Sequence, residues 1–195
     1  MKRIFLFVSA IAALTGFSQD NYVDSLKAFQ KDYVQNHEVV KGKDRQQLQF
    51  FEIDSAYHVI ATIEKKENSP WFQMPTSGPI KKLHRVYGVA HFAINGTAVQ
   101  LNIYQSQDLL HSATYKNYLF LPFTDATTGK ETYEGGRYID LVVDDIKNNK
   151  VVIDFNKAYN PYCAYVSGLY NCPIPLAANT ISIPVKAGEK AYKKH

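Results

Sequence analysis

The stretch Val86–Tyr104 reads VYGVAHFAINGTAVQLNIY. Two β-prone runs, Val86 to Ile94 and Thr97 to Tyr104, flank Asn95-Gly96. Asn-Gly between such runs predicts a two-residue hairpin, because both central residues must take φ > 0. Asn95-Gly96-Thr97 also spells a glycosylation sequon, and it is read here as a turn only.

Outward from this hairpin the pattern stays β. Upstream, Phe50 to Ile53 and Tyr57 to Ile63 are short runs parted by Asp54 and Ser55. Pro75, Gly78 and Pro79 make Gln73 to Pro79 a loop. Downstream, Tyr118 to Thr124, Tyr138 to Val143 and Val151 to Phe155 are strand candidates, with Asn148-Asn149 turning into the last. Thr180 to Lys186 alternates too, but Pro184 removes a ladder donor and demotes it to an edge or bulge. Helices do not alternate with these strands. The expected fold is therefore mainly β: an antiparallel β-sandwich or open barrel with one N-terminal amphipathic helix packed on it.

That helix is expected over about residues 20–41. Val23, Leu26, Phe29, Tyr33 and Val34 recur at three- and four-residue spacing, Asp20 can cap the start, and Gly42 marks the end. Before it, Met1 to Ser18 reads MKRIFLFVSAIAALTGFS. A basic start at Lys2 and Arg3, an apolar run of about 11 residues and small residues at Gly16 and Ser18 predict a signal peptide. The run is short of the roughly 20 residues a spanning helix needs. The reading is residues 1–18 as signal peptide, 19–195 as one β-rich domain, and a periplasmic or extracellular destination.

The 195 residues carry a net charge of +4, and two of those charges leave with Lys2 and Arg3. Lys186, Lys190, Lys193 and Lys194 hold much of the rest without interleaved aromatics, which reads as a solvated end rather than a nucleic-acid arm. Apolar residues at 46% exclude a disordered chain. No later segment is apolar enough to span a membrane as a helix. None of the six histidines pairs at a metal-ligand spacing, and no G-x-S-x-G is present. No cofactor is expected.

Unusual residues concentrate in the second half, as FTDATTGKETYEGGRY at Phe123–Tyr138 and DFNKAYNPYCAY at Asp154–Tyr165. NCPIP at Asn171–Pro175 and KAGEK at Lys186–Lys190 follow. With FFEIDSAYHVIATIE at Phe50–Glu64, these motifs are similar to the bacterial domain-of-unknown-function family 1684, over roughly Phe50 to Lys190. The chain departs at Tyr162, where the family pattern has a second proline. The resemblance carries no established activity, so it implies a hot region and no mechanism.

Taken on their own merits, Cys163 and Cys172 suit a disulfide in an oxidising compartment. Zinc would need two further ligands, and a reactive thiol a nearby base. Asp125, Thr127, Gly129 and Glu131 fail the calcium-loop pattern, and Gly129-Lys130 fails the phosphate-loop pattern. An Asp-capped turn is the plainer reading. Arg137 can pair with Asp125 or Asp154, or clamp a ligand anion. Asp154 and Asn156 share one strand face, and Asn160-Pro161 opens a turn. If they converge, Asp125, Thr127, Tyr133, Arg137, Asp154, Asn156, Tyr159 and Asn160 form a tyrosine-walled polar pocket. Such a pocket suits a small polar or carbohydrate-like ligand. The first expectation is a non-catalytic exported module that binds such a ligand. The alternative is a hydrolase in which Asp125 and Asp154 act as general acid and base, with Arg137 as anion clamp.

Overall fold

The computed structural model describes residues 13–192, with side chains from residue 21 onward. Lys2, Arg3 and the first part of the expected signal peptide, and Lys193, Lys194 and His195 at the other end, lie outside the described residues.

Helix α1 runs Ala13–Asn36. It starts earlier than Asp20 and stops before the expected end near Gly42. The stop is made by His37, whose Nδ1 accepts the Val39 and Val40 amides and turns the chain. Among its described side chains Leu26 is the one fully buried apolar anchor.

Seven strands follow: β1 His58–Lys65, β2 Phe72–Met74, β3 Lys82–Ile94, β4 Thr97–Ser106, β5 Tyr118–Phe123, β6 Arg137–Val142 and β7 Lys150–Asp154. They form one antiparallel sheet in the order β6-β5-β4-β3-β1-β7, with β2 paired to the start of β3. The sheet curls into a half-barrel, so the open-barrel expectation holds and the sandwich does not. Asn95 (φ 49°) and Gly96 (φ 79°) make the predicted hairpin turn, and Ile94 faces Thr97. Asn148 and Asn149 likewise turn into β7 with φ of 51° and 59°.

Strand alternation fills the half-barrel. Val59, Ala61 and Ile63 of β1, Leu101 and Ile103 of β4, and Leu119 and Leu121 of β5 point inward. A second cluster on the outer face joins Met74, Tyr104, Phe120 and Tyr138. Two expected strands do not form. Phe50 to Ile53 makes only one bridge, Phe50 to Glu189. Thr180 to Lys186 makes only the Thr124–Thr180 bridge, yet it lays Ile181 and Val185 into the inner core as an irregular strap. Gly188, two residues beyond that strap, has φ +75°, and a Cβ there would sit 2.6 Å from the Phe155 and Ala158 carbonyls. No described helix is long and apolar enough to cross a membrane.

Candidate functional site

The expected single pocket separates into three clusters. The first is Asp125 with Arg137. Their side chains are 0% and 1% exposed and meet at 2.9 Å. Asp125 Oδ1 also accepts the Thr127 amide and hydroxyl, each at 2.7 Å, and the Val185 amide at 3.2 Å. The terminal nitrogens of Arg137 also donate to the carbonyls of Val185, Ala187 and Glu189, while its Nε has no partner among the described residues. This follows from the strap's irregularity: without a ladder partner, its buried carbonyls need another donor, and a guanidinium supplies several. Asp125, Thr127 and Arg137 therefore clasp the fold together, and all three are buried.

The second cluster is Asp154 with Asn156. Asp154 caps the 3₁₀ turn Phe155–Lys157, taking the Asn156 amide at 3.0 Å. Tyr22 of α1 donates to the same carboxylate. Asn156 reaches back to the Asp54 backbone in both directions, donating to its carbonyl at 2.8 Å and accepting its amide at 3.1 Å. Asn156 is buried and structural, whereas Asp154 borders open space.

The third cluster centres on Glu189, which the sequence reading did not single out. It is fully buried. Its carboxylate accepts from the Asn160 amide at 2.8 Å, from Tyr33 at 3.0 Å and from Tyr165 at 2.7 Å. It thereby ties α1, the turn after β7 and the loop closed by the disulfide. Burial outweighs these donors and pushes its carboxyl up to about 7. Burial also lifts the Tyr33 and Tyr165 phenols well above their usual range, so they remain donors at neutral pH. Its place in the KAGEK motif was the available signal.

An open cleft of about 980 Å³ lies between the second half of α1, β6 and β7. Tyr33, Tyr138, Tyr159 and Tyr162 line it. Its charged border holds Glu38, Asp140, Asp145 and Asp154 against Lys157. Asp140 is held in place: its Oδ1 accepts from Tyr118 at 2.7 Å and Tyr159 at 2.6 Å. Its Oδ2 has no partner among the described residues. Glu38 is held similarly by the Tyr162 hydroxyl. These placements correct the expectation of convergence. Of the eight candidate residues only Asp154 and Tyr159 line the cleft, and Tyr133 instead packs its ring over Gly135. Asn160 stays buried beneath, donating to the Lys190 carbonyl.

Cys163 and Cys172 are placed as a disulfide pair with Cα atoms 6.3 Å apart. Ser77 joins this loop to the β2 side, accepting the Cys172 amide at 3.0 Å. Cys172 and Pro173 form one border of the cleft, so the loop sets its shape.

Fold and cleft together define a half-barrel with a helix-flanked, tyrosine-walled groove at its seam. The sequence pattern of the family described as Protein of unknown function (DUF1684) matches residues 43–190, and the chain belongs to that family. Among solved structures, it is similar to the solution NMR structure of an uncharacterised protein from Haloarcula marismortui. Identity is 28% with a TM-score of 0.67, covering 91% of this chain and 98% of that one. A search of the curated proteins found no match.

Proposed function

We propose that the protein is an exported, non-catalytic binding module whose cleft takes a small polar ligand. One observation carries this reading. Asp140 is fixed by two phenols with its second oxygen free, inside an open cleft walled by tyrosine. Rings supply contact area at low entropic cost, and a preset carboxylate supplies orientation. The hydrolase alternative lacks its residues, since Asp125 is sealed behind Arg137 and Thr127 and only Asp154 meets the cleft.

The test is an amide-shift screen with amino acids, short peptides and sugars. Binding that perturbs Asp140 and Tyr159 supports the reading, and shifts mapping elsewhere or nowhere refute it. Export is tested by N-terminal sequencing of secreted protein. A start at Gln19 supports it, and protein found only inside the cell with Met1 retained refutes it.

A further inference from the structure

The cleft runs along two strand edges whose hydrogen-bonding groups face each other. Tyr138 and Tyr159 exchange both backbone bonds, at 2.9 and 3.0 Å. Antiparallel alternation then points the Asp140 amide and carbonyl to that same side, away from β5. Val142 confirms the phase, because its amide is capped by the Asp145 carboxylate at 2.8 Å. Four successive β6 residues, Tyr138 to Leu141, line the cleft, which a strand does only by presenting its edge.

The same logic applies to β7. Lys150 exchanges both backbone bonds with Lys147, and Ile63 donates to the Asn149 carbonyl. Val152 therefore turns its amide and carbonyl away from β1, and it too lines the cleft. The seam is closed by the Tyr138–Tyr159 pair at one end, and at the other the chain itself passes from β6 into β7 through the tight turn in which Lys147 and Lys150 pair. Between them the Asp140 and Val152 backbone groups have no partner among the described residues. From Tyr138 to Val142 β6 runs about 13 Å, and between those two ends Asp140 alone turns free backbone groups to the cleft.

The geometry points to a short extended peptide bearing a basic residue as the ligand, its backbone pairing with the β6 and β7 edges. The inference rests on the cleft being a binding site and narrows the ligand's class. Strand addition supplies affinity through main-chain bonds. Charge supplies the rest: Asp140, Asp145, Asp154 and Glu38 face a single lysine, Lys157, across a tyrosine-lined space. A lysine or arginine of the guest meets the free Asp140 oxygen and the faces of Tyr159 and Tyr162.

The test uses the full chain, labelled for amide detection, and four probes. These are a tripeptide mixture Lys-Xaa-Xaa, the same mixture with N-methylated backbone amides, the mixture with norleucine replacing lysine, and maltotriose. The lysine mixture is expected to shift and saturate the Asp140 and Val152 amides. N-methylation and norleucine should each weaken binding by about ten-fold. Asp140→Asn keeps an acceptor for Tyr118 and Tyr159 and should bring the lysine mixture down to the norleucine affinity. Equal binding of the N-methylated mixture overturns strand pairing, and equal binding of the norleucine mixture overturns the basic residue. Maltotriose binding in the cleft while the peptides do not overturns the peptide class and leaves the binding reading standing. No cleft shift with any probe overturns both.

Discussion

Glu189→Gln separates burial from hydrogen bonding at the one fully buried carboxylate that joins α1 to the C-terminal strap. In the folded chain this carboxyl is raised from its ordinary 4.5 to about 7. The native state therefore keeps a proton that the unfolded chain has released. Over that window the folded form binds more protons, so stability falls as pH rises from 4.5 to 7 and levels off above. The interval corresponds to about 3 kcal/mol. Glutamine cannot ionise, still accepts the Asn160 amide, and can donate to the Tyr33 and Tyr165 oxygens. The variant should match wild type near pH 4.5 and exceed it by about 3 kcal/mol at pH 8. Urea denaturation at closely spaced pH values reads this directly. Burial lowers the His37 and His84 imidazoles and pushes the opposite way, but these contributions cancel in the difference between the two proteins. A difference that stays flat with pH, or a variant less stable at pH 8, would show that the three donors outweigh burial, and the reasoning would fail.

Removing one partner of the buried pair, as in Asp125→Ala or Arg137→Ala, should cost about 3–5 kcal/mol in urea denaturation, since the survivor is left charged and dry. Losing both in Asp125→Ala/Arg137→Ala should cost less than the two single changes added together. Cys163→Ser with Cys172→Ser should lower stability by about 2–3 kcal/mol on the chain-entropy view, and a midpoint equal to wild type would show that no bond forms. Gly188→Ala should destabilise by more than the roughly 1 kcal/mol of a positive-φ glycine alone, because two carbonyls occupy the space its Cβ needs. A thermal midpoint within a degree or two of wild type would refute that.

What was legible in the sequence was whatever local chemistry decides. Asn95-Gly96 fixed a hairpin because its backbone requirement is met within two residues, and Asn148-Asn149 did the same for β7. The strand runs of β1, β3, β4, β5, β6 and β7 were readable from apolar content because each is bounded by turn residues. The start of α1 was misplaced because Asp20 is a good cap in isolation, while the chain continues helical on both sides of it. Thr180 to Lys186 alternates like a strand, yet it buries Ile181 and Val185 without a ladder. The guanidinium of Arg137, the first residue of β6, takes over the role that a neighbouring strand would have had.

The site was less legible for a related reason. Polar residues near strand ends are used in two ways here, and their types do not distinguish the two. Asp125 and Asp140 are both aspartates of the same hairpin, but one accepts four bonds inside the core and the other offers a free oxygen to solvent. The difference lies in strand parity. Arg137 and Ile139 point into the half-barrel while Asp140 points out, and only the partners on the far side of the sheet decide which direction is buried. The cleft itself has no sequence motif because it is made by an interruption. The 3₁₀ turns at Val143–Asp145 and Phe155–Lys157 carry the chain away from pairing between β6 and β7, leaving the Asp140 and Val152 edges open. Asp145 ends the first of these turns and Asp154 caps the second, so residues at the break in the ladder also supply the charge beside the gap. A guest that donates backbone bonds and carries a cation satisfies both consequences at once, which is why strand parity and charge, rather than any catalytic constellation, carry the functional reading.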